Sequence, residues 1–308
     1  MSELTGKIKK IAADIGFDKI GITAAKQPEK SKRLEAWLKS NYDGTMEWMG
    51  LRKKQRLDIE EFFPGAKSII CVAQNYYSPH KHSHKKYRGK ISRYAWGEDY
   101  HRILKKKLKL FLQQIQQIDS TLHGRLCVDT APLMEKLWSE QAGLGWQGKN
   151  TNLITRDYGS WIFLGEIVVD KELNYDSPIE DYCGSCQACI QACPTTAIVA
   201  PYVLDARKCL SYLTIEHRAD AIPDHLGSKL NQWIFGCDIC QDVCPWNKFK
   251  QITKEKCFFP KQWNTGPDLN EWIMMDEIDF KKKFKKSPVL RPGWKNFIRN
   301  IKAALPKG

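Results

Sequence analysis

Eight of the eleven cysteines lie between residues 183 and 244, and their spacing constrains the fold more than any other feature. Residues 183–194 read CGSCQACIQACP, the C-x2-C-x2-C-x3-C-P run that bacterial ferredoxins use for [4Fe–4S] clusters. The close spacing lets one short loop supply three ligands of a cluster, while the fourth cysteine begins a helix and reaches a second cluster. Pro194 suits that helix start, because its missing N–H is not needed there.

A second run, GCDICQDVCPW at 236–246, is one cysteine short of the same pattern, and Cys209 is the candidate for the missing ligand. In two-cluster ferredoxins the fourth cysteine of a run binds the other cluster. The expected ligands are therefore Cys183, Cys186, Cys189 and Cys244 for one cluster, and Cys193, Cys209, Cys237 and Cys240 for the other.

Zinc is the alternative for these cysteines. A zinc site predicts two C-x2-C pairs separated by a finger, which explains neither three cysteines at two-residue spacing nor two C-P endings. Cys71 and Cys127 lie in the apolar runs SIICVAQ and GRLCVDT, so we expect them to be small core residues.

The formal net charge of +14 favours a polyanionic partner, with a generally basic solvated surface as the alternative. Lysine and arginine interleave with aromatic residues at 85–102 and 279–300, a pattern typical of RNA binding. The second segment also contains an apolar stripe at helical spacing, formed by Trp294, Phe297, Ile298 and Ile301. A core-packing helix with a basic outer face is therefore expected there.

The sequence indicates a cytoplasmic protein. No run of about 18 apolar residues occurs, so no membrane span or membrane partner is expected. The N-terminus lacks the apolar core of a signal peptide and resembles an amphipathic helix followed by a strand. In such a compartment eleven cysteines favour metal or redox chemistry over disulfides. We expect a monomer.

Periodicity predicts an α+β fold. The predicted strands are 19–23, 68–76, 124–129 and 161–169, and the predicted helices are 2–15, 30–40, 99–118 and 132–142. A mixed-sheet catalytic domain is expected at 1–172, a ferredoxin-like domain with two [4Fe–4S] clusters at 173–250, and a C-terminal segment at 251–308 that packs back on the catalytic domain.

Two motifs in the first domain allow alternative interpretations. GLGWQGKN at 143–150 fits both a dinucleotide fingerprint and a truncated phosphate loop. The surrounding order of helix, glycine loop and strand is the reverse of what either needs, so a helix end followed by a turn is expected. His80, His82 and His84 alternate, as a metal site on an extended chain would, but a flexible basic loop is the ordinary interpretation.

Asp129 ends the apolar strand in GRLCVDTAP, a common position for a catalytic carboxyl facing a pocket. Asp129 or Thr130 would equally serve as the N-cap of the helix predicted at 132–142. Spacing alone leaves both interpretations open.

Eight stretches together resemble the epoxyqueuosine reductases, a cobalamin- and iron–sulfur-dependent family of tRNA queuosine synthesis. They are RLDIEEFFPGAKSII, SRYAWGEDYHRIL, VDTAPLMEKLWSEQAGLGWQGKN, GSWIFLGEI, CGSCQACIQACP, YLTIEHR, FGCDICQDVCPWN and FKKSPVLRPGWKNFIRNI. The resemblance covers nearly the whole chain. Many members continue into a C-terminal helical-repeat extension, whereas this sequence stops at Gly308, which places more of the expected tRNA contact on the basic surface here.

The resemblance implies a reaction. An external low-potential donor would feed the two clusters, which would deliver single electrons to a corrin cobalt and give cob(I)alamin. The epoxide of epoxyqueuosine at the tRNA wobble position would then be reduced to an alkene with loss of water. Asp129 matches the family's proposed proton donor. A free aspartic acid has a pKa of about 3.9, so this role would require a raised pKa.

The resemblance also makes residues 1–172 a cobalamin-binding domain with GLGWQGKN beside the corrin. The implied cobalamin contacts are Arg56, Tyr94, Lys149, Asn150, Ser160, Ser211 and Thr214. Asp99, Tyr100 and His101 would line the cobalt or substrate side, unless they only begin a helix. The competing functions are a corrinoid reductase of a small molecule such as an organohalide, a ferredoxin-type electron carrier, and a zinc-bearing RNA-binding module.

Overall fold

The structure, a computed structural model, describes residues 1–261 and 263–306. Its strands are β1 Lys19–Ala24, β2 Ser68–Asn75, β3 Lys90–Ile91, β4 Gly124–Cys127, β5 Trp146–Gln147, β6 Leu153–Ile154, β7 Ile162–Val169, β8 Ile198–Ala200, β9 Val203–Leu204 and β10 Trp233–Phe235. Its α-helices are α1 Ser2–Ile15, α2 Arg33–Lys39, α3 Trp48–Leu51, α4 Lys53–Leu57, α5 Ile59–Phe62, α6 Tyr100–Ile118, α7 Glu135–Gln141, α8 Ala188–Ala192, α9 Leu210–Ile215, α10 Asp224–Gly227, α11 Ile239–Asp242, α12 Leu269–Trp272, α13 Glu277–Lys283 and α14 Gly293–Ala304.

The central sheet has the strand order β1-β2-β7-β4, and each of its three pairings is antiparallel. The expectation of a mixed sheet is therefore wrong for these four strands. Instead β2 and β4 run in the same direction on opposite sides of β7, which separates them and runs against both. The combination of helices and sheets expected from the sequence is present.

Helices cover both faces of the central sheet, which explains why every residue of β2 and β7 is buried. On β2, Ile70 and Val72 pack with α1 and α6, while Ile69, Cys71 and Ala73 pack with α5 and α7. Successive side chains of a strand point to opposite faces, so one apolar run serves two cores. Cys71 and Cys127 are almost fully buried, and their prediction as core residues is confirmed.

The predicted helices differ from the observed ones mainly at their N-termini. Helix α1 has the expected bounds and α6 begins one residue later than expected, at Tyr100. Helix α7 begins only at Glu135, with Met134 as its N-cap. The N-cap interpretation of Asp129 and Thr130 is therefore wrong, because the turn after β4 extends further before the helix starts.

The C-terminal helices share one apolar core with residues 206–235 and 91–96. Phe297 and Ile301 of α14 are fully buried in this core, which confirms the helix predicted from their spacing. The amide of Asn300 donates hydrogen bonds to the carbonyls of Thr214 (2.7 Å) and Ile234 (3.1 Å), so α14 is fixed to α9 and β10. The main packing partners of α14 therefore lie in the cysteine-rich half of the chain, and the three domain boundaries stay a prediction.

The three alternating histidines do not converge. His82 is buried between the rings of Trp96 and Trp233, each 4.8 Å away, while His80 and His84 are exposed. Burial lowers the pKa of His82 to about 4, so it packs as a neutral ring. The metal-site interpretation of this triplet is therefore wrong, because its middle member belongs to the core. Within residues 1–261 and 263–306, no helix is long and apolar enough to cross a membrane.

Truncation of a buried side chain of α14 should destabilise the fold far more than the same truncation on an exposed helix face. Ile301→Ala leaves a cavity in the C-terminal core and should lower the free energy of unfolding by about 2–5 kcal/mol. The matched control is Ile278→Ala on α13, where the isoleucine is 77% exposed, and it should change the free energy by less than about 0.5 kcal/mol. Denaturant titration measures both, and equal losses would contradict the assignment of the core.

Candidate active site

A cavity of about 1410 Å³ lies between the central sheet and the cysteine-rich half of the chain. Its wall includes the polar side chains Tyr94, Asp99, His101, Asp129, Asn150, Ser160 and Ser211, and four cysteines, Cys193, Cys209, Cys237 and Cys240. Apolar side chains such as Phe163 and Leu164 also contribute to it. One open space thus adjoins both the candidate acid and one complete set of expected cluster ligands.

The other expected set lines a different, smaller cavity. Cys183, Cys186, Cys189 and Cys244 surround a space of about 150 Å³. The two cavities divide the eight cysteines as the spacing argument does, which supports the proposed ligand sets. We call the small-cavity set the outer set, because it contains the exposed Cys186, and the set on the large cavity the inner set.

His101 stands between two carboxylates at the start of α6. Its Nδ1 lies 2.7 Å from Asp99 Oδ1, and its Nε2 lies 3.0 Å from Asp129 Oδ2. Asp99 is also the N-cap of α6 and accepts the backbone N–H of His101 at 3.0 Å. The ring of Tyr100 stacks on that of His101 at 4.1 Å and on that of Phe163 at 4.2 Å. The imidazole is thus fixed by the helix start, by aromatic stacking and by two hydrogen bonds.

The charge of this group is set by the two hydrogen bonds. Burial alone would lower the pKa of His101, but the bonds to Asp129 and Asp99 outweigh burial and raise it to about 9. His101 is therefore an imidazolium at neutral pH. For Asp129, burial would raise the pKa, but the hydrogen bond from His101 outweighs burial and the pKa is lowered. The expectation of a raised pKa for Asp129 is wrong, because the proton that the pair shares resides on histidine.

Asp129 occupies a strained turn at the end of β4. Its φ of 55° lies in the left-handed region, which costs a non-glycine residue of order 1 kcal/mol. The backbone N–H of Asp129 donates to the Glu135 carboxylate, which holds this turn. The side chain is 51% exposed in the open cavity, where it can meet a ligand.

Two carboxyl groups behind Asp129 have raised pKa values. Burial, followed by the charge of Asp129, raises the pKa of Glu135 to about 8. Glu166 is fully buried in the middle of β7, and burial raises its pKa far above the ordinary value. The hydroxyl of Ser139 donates to Glu166 at 3.4 Å. Sequence reasoning missed this pair, although a glutamate inside the apolar run IFLGEIVV was a detectable signal.

Four of the seven implied cobalamin contacts line the large cavity, namely Tyr94, Asn150, Ser160 and Ser211. The other three do not. Thr214 is fully buried, where its hydroxyl donates to the Leu210 carbonyl at 2.8 Å and accepts the Gly236 N–H at 2.9 Å. Such local bonds satisfy a helical threonine without a ligand. Arg56 is buried over the Trp48 ring at 5.4 Å, and Lys149 lines the small cavity instead.

The expected helix end in GLGWQGKN is confirmed. After α7, Gly143 adopts a φ of 73°, and the N–H groups of Gly143 and Leu144 bond back to Glu140 and Ser139 at 3.0 Å each. The chain then enters the antiparallel hairpin of β5 and β6. Neither nucleotide interpretation fits this order of elements.

Exposed basic residues line the large cavity, a feature that the sequence only partly indicated, and we call the surface that they form the cavity mouth. They are Arg102, Lys105, Lys136, Arg218, Lys285, Lys286 and Arg291. Four of them come from the two basic and aromatic segments singled out in the sequence. Arg291 makes a two-point contact with Glu216, at 2.5 and 3.2 Å, and is thereby oriented. The mouth can attract an anionic ligand.

Two family models match the chain. The model described as epoxyqueuosine reductase QueG, DUF1730, matches residues 56–130. The model described as a 4Fe-4S double cluster binding domain matches residues 182–247, the segment that contains all eight spaced cysteines. The second match favours two iron–sulfur clusters over the zinc alternative.

Relatives of known name are similar along almost the whole chain. The epoxyqueuosine reductase of Atelocyanobacterium thalassa (isolate ALOHA) is 45% identical, over 99% of this chain and 100% of its own length. The epoxyqueuosine reductase of Escherichia coli (strain K12) is 41% identical, over 99% of this chain and 81% of its own length. A crystal structure of epoxyqueuosine reductase with an epoxyqueuosine-modified tRNA-Tyr stem loop superposes with a TM-score of 0.90 and 33% identity, covering 98% of this chain and 81% of that one.

The raised pKa of His101 should appear as a pH-dependent contribution to stability. The folded-state pKa of about 9 lies above the ordinary value of about 6.5, so the contribution is fully present below about pH 6.5 and is lost as the pH rises through about 9. The difference in unfolding free energy between wild type and His101→Gln should shrink across that window. Denaturant titrations at several pH values measure it, with the exposed His84→Gln as control. A difference that does not vary with pH would contradict the charge assignment.

Proposed function

This chain belongs to the epoxyqueuosine reductase family, and we propose that it reduces the epoxide of epoxyqueuosine in tRNA to the alkene of queuosine. Electrons from an external low-potential donor would pass through two [4Fe–4S] clusters to a cobalamin in the large cavity. The observation that carries this proposal is that one cavity adjoins both the inner cysteine set and the His101–Asp129 pair.

The cysteines suit two clusters. Each set combines cysteines from both C-P runs around its own cavity, and Cys209 joins the inner set. Cys193 follows the short helix α8 and belongs to the inner set, and Cys244 follows α11 and belongs to the outer set. Each therefore joins the set that the other run mainly supplies. This is the arrangement that lets clusters lie near each other for single-electron transfer.

The large cavity suits a corrin. At about 1410 Å³ it exceeds the usual volume of a small-ligand pocket, roughly 300–1,000 Å³, which leaves space for a large macrocycle beside a substrate base. Its apolar surfaces can pack against the ring, and Tyr94, Asn150, Ser160 and Ser211 supply hydrogen-bonding groups for peripheral amides. When bound, the corrin cobalt supplies a strong reductant for opening the epoxide.

The proton for the first step is held on His101. Converting an epoxide to an alkene consumes two electrons and two protons and releases water, and an alkoxide is a poor leaving group. His101 Nε2 carries a proton at neutral pH and shares it with Asp129 Oδ2, the group exposed in the cavity. Asp129 would therefore transfer the proton from His101 to the substrate oxygen, while Asp99 keeps the imidazole oriented.

A second proton is available beside the same turn. Glu135 accepts the N–H of Asp129, and burial together with the charge of Asp129 raises its pKa, which favours the protonated form. It is the candidate source for the proton that completes the water molecule. The strained turn at Asp129 thus lies between two groups that have raised pKa values.

The basic mouth of the cavity suits a tRNA anticodon stem loop. A relative in this family was crystallised with such a stem loop, and seven exposed basic residues form the cavity mouth here. Lysine and arginine at the mouth would hold phosphates while the wobble base enters the cavity.

The direct test of the function is a cobalamin-dependent change of mass in the modified nucleoside. Protein loaded anaerobically with clusters and cobalamin is incubated with a low-potential reductant and with tRNA carrying epoxyqueuosine. The tRNA is then digested, and the masses of its nucleosides are measured by mass spectrometry. We expect the loss of one oxygen atom only when cobalamin is added. An unchanged nucleoside, with both clusters intact by iron content, would contradict the proposal.

Removal of the relay should abolish turnover without loss of cofactors. Asp129→Ala should lower the rate by at least about 100-fold, since general acid catalysis contributes about 10²–10⁴-fold, and should leave iron and cobalamin content unchanged. His101→Gln should shift the pH optimum as well as lower the rate, because Asp129 then lacks its proton source. Single-turnover rates across a pH series measure the loss of rate and the shift of the pH optimum. An active Asp129→Ala protein would show that Asp129 does not transfer the proton.

Removing basic residues from the mouth should weaken tRNA binding and reduce its salt dependence. Lys105→Ala combined with Lys285→Ala should lower the slope of log affinity against log salt by roughly 1–2, because two phosphate contacts are lost. The matched control is Lys106→Ala with Lys282→Ala, since these exposed neighbours do not line the cavity. Fluorescence titration with an anticodon stem loop measures both pairs. An equal decrease of this slope in the two double variants would show that tRNA binding depends only on net charge.

A further inference from the structure

The loop at residues 146–152 runs between the two cysteine sets and presents different chemistry to each. We call it the intercluster loop. It comprises β5 and the turn before β6, and it contains the second half of GLGWQGKN. Lys149 and Asn150 both line the small cavity, and Asn150 also lines the large one.

On the outer side, the loop places a buried cation against the cluster-binding turn. Lys149 Nζ donates to the Gly184 carbonyl at 2.5 Å and to the Cys186 carbonyl at 2.9 Å. The lysine is only 9% exposed, and the structure pairs its ammonium with carbonyl dipoles rather than with a carboxylate. Its full positive charge therefore stands beside the outer set with little screening by water.

Trp146 of the same loop adds a hydrogen-bond donor. Its ring is fully buried, with its edge against Trp246 at 4.9 Å and Tyr182 at 5.3 Å. Its indole N–H has no hydrogen-bond partner in the described part of the chain, and it opposes the effect of burial, which raises the pKa of the Cys183 thiol. A buried donor without an acceptor is costly, and a thiolate at Cys183 would satisfy it.

On the inner side, the loop presents neutral amides. Asn150 Nδ2 donates to the Cys240 carbonyl at 3.2 Å, and Asn152 Nδ2 lies 4.0 Å from Cys240 Sγ. The loop's own lysine therefore lies on the outer side, whereas on the inner side Asn152 Oδ1 accepts a hydrogen bond at 3.4 Å from Lys136, a cation outside the loop.

We propose that Lys149 and Trp146 raise the reduction potential of the outer cluster, so that it accepts an electron from an external donor more readily. A cluster bound by four thiolates is anionic, and the added electron makes it more so. A nearby cation and an N–H donor stabilise the reduced form, which is how surrounding charge and hydrogen bonds set cluster potentials. The outer set also contains the exposed Cys186, which an external donor can approach.

A redox titration of the whole anaerobically loaded protein tests this, with the two clusters followed by electron paramagnetic resonance. Lys149→Met should lower the potential of the outer cluster and leave the inner one unchanged. We expect the equilibrium between reduced and oxidised outer cluster to move about tenfold, or about 59 mV for one electron. Lys149→Arg keeps the charge and should stay near wild type. Trp146→Phe keeps the ring but loses the N–H, and should lower the outer potential in the same direction.

Lys171→Met is the matched control, because Lys171 pairs with Asp119 at 2.9 Å and lines neither cavity. It should leave both potentials unchanged. Iron content is measured for each variant. If Lys149→Met loses its outer cluster, the outer potentials of Trp146→Phe and Lys149→Arg test the proposal instead. A wild-type outer potential in an iron-complete Lys149→Met or Trp146→Phe protein overturns the proposal. The readout is a potential rather than turnover, so its failure is distinguishable from failure of the proposed reaction.

Discussion

The crossing of one cysteine from each C-P run to the opposite set is the constraint on which the rest of the structure depends. Cys193 ends α8 and Cys244 follows α11, and both adopt nearly the same backbone conformation, with φ of −70° in each case and ψ of 111° and 122°. A proline follows each of them and redirects the chain. Neither run can complete its own set, so the two segments must fold side by side.

That requirement extends into the catalytic half of the chain. The strand before the second run, β10, pairs in parallel with β3, and the segment after β3 supplies Tyr94, Asp99 and His101. Helix α14 fixes β10 from the other side through Asn300. The inner cysteines and the proton-holding histidine are therefore tied together through one short strand pairing. The inner cysteine set and the His101–Asp129 pair line the same cavity because the segments that carry them are neighbours.

The charged groups around Asp129 differ from the surroundings of a simple buried acid. A carboxyl that donates protons at neutral pH usually has a raised pKa, whereas the imidazolium of His101 lowers that of Asp129. His101 and Glu135 both have raised pKa values, and Asp129 is the exposed group between them. The proposed relay would keep a reactive carboxylate in the cavity without the cost of burying a neutral acid at the point of contact.

The sequence predicted those features that depend on spacing along the chain. Apolar periodicity located the strands of the central sheet and α1, and cysteine spacing separated the two cysteine sets. The sequence could not predict features that depend on the direction in which a side chain points. The side chains of Thr214 and Arg56 are buried in the core, and Lys149 lines the small cavity. The antiparallel sheet depends on the order in which the strands pair, which periodicity does not encode. The buried Glu166 was visible as a charge inside an apolar strand, but its partner Glu135 is 31 positions away and only the fold brings them together.

We propose that one cavity holds the corrin between the inner cluster and the His101–Asp129 pair. Anomalous diffraction at the iron and cobalt absorption edges, from crystals of the anaerobically loaded protein, tests it most directly. We expect one iron cluster at each cysteine set and a cobalt atom in the large cavity, nearer to the inner cluster than to the outer one. Cobalt outside that cavity, or iron at only one cysteine set, would contradict it.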